Sequence, residues 1–322
     1  MEGTLEKTNP QFPSPESRRV RQIWAVGGGK GGVGKSLISS SLSIALARTG
    51  AKVLAVDLDL GGANLHTTLG VELPRQTLND FFTERVSNLQ DCITQTSIPK
   101  LDLMSGAQDS VGIVNIQEAQ LKRFLEQIRS VDYDYVVFDL GAGTGNHTLD
   151  FFIQADVGVV TMLPEPTSIE NGYRFVKSVY YRRLINDPKL KGIQPLIELA
   201  MDAKNNEGIR SPSDLFRAVM RDHPELGTIL KSQIERFQPK LIVNQVRTHA
   251  DIEIGFSVKT VCKKYFGIDV DYLGYLDYDS SVWQAIRRKR PVMLEFPNSK
   301  LVSNIERLVD FLIKKHGKTL DK

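Results

Sequence analysis

Residues 29–36 read Gly-Lys-Gly-Gly-Val-Gly-Lys-Ser, and no other stretch of the 322-residue chain restricts its fold as tightly. The run meets the spacing G-x-x-x-x-G-K-[ST], which functions only where a buried strand enters a glycine-rich turn and the turn opens a helix. Both flanks fit that setting. Ile23-Trp24-Ala25-Val26 precedes it as an apolar strand, and residues 36–48 follow with Leu37, Ile38, Leu42, Ile44, Ala45 and Leu46 in a broad helical stripe that Gly50 can end. The glycines let the backbone aim successive N–H groups at phosphate oxygens, and the helix start adds the positive end of its dipole. Gly29, Lys30, Gly31, Gly32, Val33, Gly34, Lys35 and Ser36 are therefore the candidate nucleotide-binding residues. Lys35 is expected to reach the β- and γ-phosphates of ATP, and the Ser36 hydroxyl to hold Mg²⁺. The plainer reading, a strand-to-helix turn with a surface lysine, is disfavoured by the two flanks.

Downstream the acidic residues fall at strand ends. Lys52-Val53-Leu54-Ala55-Val56-Asp57 reads as a buried parallel strand running into Asp57-Leu58-Asp59-Leu60-Gly61-Gly62-Ala63-Asn64-Leu65. Tyr135-Val136-Val137-Phe138-Asp139 is a second such strand, followed by Gly141 and Gly143. Carboxyl ends of parallel strands are where open α/β sheets bind ligands. Asp57 and Asp59 read equally as helix caps. A strand ending in aspartate is expected to hold the Mg²⁺ shell through Asp139, with Gly141 or Gly143 beside the γ-phosphate.

The loop's extra lysine carries a family resemblance. Residues 30–36 resemble the deviant Walker A motif KGGxGK[ST] of the MinD/ParA family, Asp57 to Leu65 resembles its DxDxxxxNL segment, and Asp139 falls where its Walker B aspartate stands. The resemblance implies that Lys30 crosses an ATP-sandwiched homodimer to touch the partner's phosphates. It also implies that Asp59 orients the attacking water while Asp57 supports Mg²⁺. It gives Asn244, closing the strand read over residues 240–247, an adenine contact, since an amide both donates and accepts. It places Asp279 in a turn beside the adenine, where the residue reads equally as an N-cap. Pro164-Glu165-Pro166-Thr167-Ser168 and the helix after it resemble the flagellar-regulator branch of the family, with Ser168 as the expected N-cap.

These readings imply one doubly wound, mostly parallel α/β domain of the P-loop NTPase class (SIMIBI type) over residues 21–322, with residues 1–20 a disordered tail. About residues 186–238 stand apart from the family pattern. Helical stretches near 196–204 and 213–221, punctuated by prolines, are expected to pack as a small helical insertion, either binding a partner or decorating the scaffold. Helices are also expected over 115–129, with a Glu118–Lys122 pair, and over 256–266. No segment approaches the roughly eighteen apolar residues of a membrane span. Cys92 and Cys262 form no CxxC pair, which fits a reducing cytoplasm and argues against an iron–sulfur carrier built on paired cysteines.

The expected function is a slow, dimer-dependent ATP hydrolase that regulates the position or number of a cellular structure, flagella among them. A protein partner or activator is expected. Recruitment from the cytoplasm to a pole, nucleoid or membrane surface follows from the same resemblance. The alternative is a ParA-like partition ATPase that binds DNA through Arg287, Arg288 and Arg290, a run that reads also as a solvated helix end. An amidoligase would need a further substrate site. The last helix, with Leu301, Val302, Ile305, Leu308, Val309, Leu312 and Ile313 on one face, is expected to pack on the core, membrane contact being its other reading.

Overall fold

The computed structural model describes residues 22–106, 116–202, 205, 207–209 and 211–316. The expected tail lies outside these residues, as do Asn115 and Lys204. The strands are β1 (Gln22–Gly27), β2 (Val53–Leu58), β3 (Ile93–Gln95), β4 (Leu101–Met104), β5 (Tyr135–Leu140), β6 (Val157–Met162), β7 (Lys240–Val246) and β8 (Asp271–Asp277). The helices are α1 (Lys35–Arg48), α2 (Leu65–Thr68), α3 (Leu78–Phe82), α4 (Glu118–Ser130), α5 (Asn146–Ile153), α6 (Pro166–Ile185), α7 (Gln194–Met201), α8 (Pro212–Asp222), α9 (Pro224–Arg236), α10 (His249–Val261), α11 (Ser280–Arg287), α12 (Val292–Glu295) and α13 (Lys300–His316).

One sheet runs in the order β3-β4-β2-β5-β1-β6-β7-β8, and only the β3–β4 pair is antiparallel. Side chains alternate across a strand, so each strand supplies two cores. Ile23, Ala25, Leu54, Val56, Val136 and Phe138 face one side, and Trp24, Val26, Val53, Ala55 and Val137 the other. Helices cover both faces, which is why these strands read as unbroken apolar runs. β1 lies between β5 and β6, and the chain leaves it toward β2 on one side and later returns to β6 on the other. That reversal opens the crevice at which doubly wound sheets hold ligands.

Helix α1 is buried almost all round rather than along a stripe. Four of its buried residues are serines, small enough for close packing; Ser43 returns its hydroxyl to the carbonyl of Ser39 (2.8 Å), and the Ser39 hydroxyl lies between the Lys35 carbonyl (3.0 Å) and the Asp139 carboxylate. At the other end of the chain α13 buries Leu301, Val302, Ile305, Leu308, Val309 and Leu312, so it is the core-packing last helix expected above.

Residues 186–238 hold α7, α8, α9 and a 3₁₀ turn, Pro188–Ile193. Among the described residues, their buried apolar side chains join the main core. Leu190, Ile193, Ile197, Leu215, Val219 and Leu230 join the same cluster as Ile23, Val136 and Phe175.

Several boundaries differ from the sequence expectation because capping outweighs periodicity. α8 starts at Pro212, where Ser211 and Asp214 cap each other (Asp214 N to Ser211 Oγ 3.1 Å; Ser211 N to Asp214 Oδ2 3.0 Å). α10 starts at His249 under a Thr248–Asp251 box, and a wider turn, Cys262–Phe266, follows until Gly267 at φ 67° stops it. α6 starts at Pro166, so Ser168 is not its N-cap; the Ser168 hydroxyl instead accepts Leu163 N at 2.9 Å. Lys122 pairs with Glu126 (3.9 Å) in place of Glu118.

Because α9 shares the main core, Leu230→Ala should cost about 2–5 kcal/mol. Urea unfolding of the full chain should shift as one transition. An early transition confined to residues 186–238, with the sheet unaffected, would show an independent insertion.

Candidate nucleotide site

The loop between β1 and α1 is clamped by three neighbours. Gly34 has φ 92°, a left-handed conformation open to glycine, and a Cβ there would collide with Asn244 Nδ2. Asn244, at the end of β7 and almost fully buried, donates to Val33 O at 2.9 Å and accepts Gln245 N at 2.9 Å. Gln245 itself has φ 59°, backbone strain held at the site. From the β5 side, Gly143 N donates to Gly28 O at 3.2 Å. From the α6 side, the Asn171 carbonyl lies so close to Gly29 that no side chain fits there.

The two loop lysines are held differently. Lys35 is buried, and its Nζ folds back toward Lys30 O at 3.4 Å. Burial holds its ammonium below the ordinary lysine range, while Asp139 and Asp59 favour the charge. Lys30 is exposed. Its Nζ reaches Thr167 Oγ1 at 3.3 Å and Glu165 Oε2 at 3.8 Å, both at the start of α6.

Asp57 and Asp139 are partners in the β2–β5 register, side by side and buried. Asp57 accepts Asp59 N (3.1 Å) and Leu65 N (2.9 Å), which ties the strand end to the start of α2. Ser39 donates to Asp139 Oδ1 at 2.9 Å, and the Ser36 hydroxyl stands within reach of the same carboxylate. Asp139 Oδ2 is buried without a hydrogen bond among the described residues. Burial, then the mutual repulsion of the pair, holds Asp57 well above the usual carboxylate range. Burial likewise raises Asp139, against the hydroxyls of Ser36 and Ser39 and the Lys35 ammonium. Such a pair is short of positive charge. An unfilled carboxylate oxygen, a neighbouring hydroxyl and a second carboxylate behind it fit Mg²⁺, which binds through one or two carboxylates and takes its remaining ligands from water and phosphate. Asp59 lies in the same mouth, its carboxylate against Gly141 and Gly62.

The structure thus brings Gly29–Ser36, Asp57, Asp59, Asp139 and Asn244 to one end of the sheet. Asp279 caps α11, accepting Ser281 N at 2.8 Å. Residues the sequence reading passed over are Ser39, Gln245 and Asn171. Ser39 was findable, one helical turn after Lys35 on the loop-facing side of α1; the others depend on contacts distant in sequence.

Comparisons with known proteins agree with this fold. A family model described as ParA, NUBPL iron-transfer P-loop NTPase, matches residues 19–179. The antiactivator FleN of Pseudomonas aeruginosa is 29% identical over 282 residues, 87% of this chain and 81% of its own length. The flagellum site-determining protein YlxH of Helicobacter pylori is 35% identical over 155 residues, 48% of this chain and 52% of its own. The septum site-determining protein MinD of Pyrococcus horikoshii, solved with Mg-ADP, superposes with TM-score 0.63 at 21% identity, covering 92% of this chain and 97% of that one. Both cysteines of the present chain, Cys92 and Cys262, are free and buried.

Asp139→Asn should act in opposite directions on stability and binding. Removing one charge of a buried like-charged pair should raise the melting temperature of the nucleotide-free protein, since an amide oxygen still accepts from Ser39. The same change should weaken Mg²⁺-dependent ATP binding at least tenfold by calorimetry. A destabilised variant with unaltered binding would contradict the assignment.

Proposed function

The chain belongs to the ParA family of P-loop NTPases, and from that footing we propose that it is a slow ATPase whose ATP-bound form is a homodimer. Its role is that of a regulator of the position or number of a cellular structure. The resemblance to FleN and YlxH supports a flagellar one. The observation that carries the dimer reading is the contrast between the two loop lysines: Lys35 is buried toward the carboxylates, whereas Lys30 sits at the rim on contacts of 3.3 and 3.8 Å. An exposed ion pair of this kind contributes about 0–1 kcal/mol, so little opposes swinging Lys30 toward the phosphates of a second subunit.

In this reading the chain's residues work mainly by position and charge. The backbone N–H groups of Gly31 to Ser36 and the α1 dipole bind the phosphates, and Lys35 offsets their charge. Ser36 and Asp139 would hold Mg²⁺, with Asp57 behind them; the ion, when bound, would neutralise phosphate charge. Asp59 orients the attacking water, and Lys30 of the opposite subunit stabilises charge on the transferred phosphoryl group. Asn244 and Asp279 border the base. Asn244 spends one donor and one acceptor on the protein and retains one of each. The DNA-partition reading draws less support, because Arg288 and Arg290 both pair with Glu295 (2.5 and 3.3 Å).

Lys35→Ala should abolish measurable ATP binding. Asp59→Ala should bind ATP with near-normal affinity and run as a dimer on sizing in ATP but not in ADP; an ATP-loaded monomer would refute the dimer mechanism. Lys30→Ala should bind ATP yet lose turnover by about 10³-fold or more, the magnitude of a cation supplied in trans. Unchanged turnover would remove Lys30 from its assigned role.

A further inference from the structure

Helix α11 presents the most exposed large hydrophobic residues at the nucleotide end of the sheet. Trp283 is 62% exposed and Ile286, one turn on, 47%. Tyr278, just before the Asp279 cap, is 49% exposed. Tyr278 and Trp283 occupy the N′ and N4 positions, which in many helices pack on each other as a staple. Here each ring carries a guanidinium instead: Arg247 lies 3.7 Å from the Tyr278 centroid, and Arg287 4.6 Å from that of Trp283. Neither arginine forms a salt bridge among the described residues, whereas Arg288 and Arg290 next door share Glu295. A guanidinium stacked on a ring keeps its in-plane N–H groups turned outward, ready for a carboxylate.

We propose that this α11 face is a docking surface for a protein partner that presents carboxylates to Arg247 and Arg287 and an apolar side chain to Trp283 and Ile286. Trp, Tyr and Arg are the residues that dominate binding energy at protein interfaces, and rings pre-ordered by stacked arginines lose little entropy on docking. Arg247 lies near Asp251 without a salt bridge, and Arg287 meets no carboxylate at ion-pair distance among the described residues, so the face favours an acidic partner. Ile286 has no role against a phosphate backbone, which separates this face from a nucleic-acid groove. The surface also adjoins the segment that follows Asp59, for a Cβ on Gly70 would stand 2.9 Å from the Lys289 carbonyl beyond α11. Trp283, Ile286 and Arg287 belong to none of the nucleotide contacts assigned above, so this inference stands or falls separately from the ATPase reading.

The chain has two tryptophans, and Trp24 is fully buried, so a binding-induced change in emission reports Trp283. A random peptide library should be selected on the full-length protein and its binders titrated by tryptophan fluorescence. The expected binders are acidic with at least one large apolar residue, blue-shift the emission, and lose affinity roughly tenfold or more with Arg287→Glu or Ile286→Ser. Both substitutions are at exposed positions, and unchanged ATP binding serves as the control for folding. Binders that are neutral or basic, binders indifferent to both substitutions, or no binders at all would overturn the proposal. A Trp283 shift with phosphatidylglycerol vesicles or with a short DNA duplex, and none with acidic peptides, would overturn it in favour of those surfaces.

Discussion

Two carboxylates lie side by side in the interior, and the rest of the site is arranged about their cost. Asp57 and Asp139 face each other across adjacent strands, nearly without solvent. In a medium of low dielectric, like charges this close are strongly unfavourable, and burial raises both groups above the usual carboxylate range. Apart from Asp59, whose charge adds to the repulsion, the groups packed around them supply positive potential or hydrogen bonds. Lys35 is buried beside them, Ser36 and Ser39 face Asp139, and the backbone N–H groups of Asp59 and Leu65 cover Asp57. A site that meets only part of its demand for positive charge from the protein is suited to a divalent cation carried by a polyphosphate.

The same constraint explains the sheet order. β5 must insert between β1 and β2 for Asp139 to lie next to Asp57 and still face the loop that leaves β1. α6 then braces the loop's outer rim at its start and enters the main core along its length through Phe175, Val176, Val179 and Tyr180. The helices of residues 186–238 pack on the far side of α6 and share that core, so an apparently added segment is structurally continuous with the helix that holds Lys30. α13 closes the other side of the sheet with its apolar face.

Much of this was legible in the chain. The phosphate loop was readable because its chemistry requires particular residue types at fixed spacing, and its flanking strand and helix because parallel strands buried on both faces must be apolar throughout. Asp57, Asp59 and Asp139 were readable as acids at the ends of such strands. Ser168 was misplaced as a cap because Pro166, preorganised for a first helical turn, starts α6 earlier. The insertion was expected to stand apart, but hydrophobic patterning reports that a face is buried and not against what. The α11 face was visible only as a basic run, since exposure of Trp283 and the stacking of Arg247 on Tyr278 depend on neighbours distant in sequence.

By itself, then, the sequence determined the local pattern: a loop whose glycines and lysines have the spacing of a phosphate-binding turn, and acids placed at strand ends. These follow from short-range geometry, which residue spacing specifies directly. The tertiary structure alone decided that Asp57 and Asp139 share one register, that Asn244 and Asn171 clamp a loop more than a hundred residues before them, and that Lys30 is left at the rim while Lys35 is drawn inside. Those outcomes depend on which strands become neighbours, and strand order is set by the packing of both sheet faces at once.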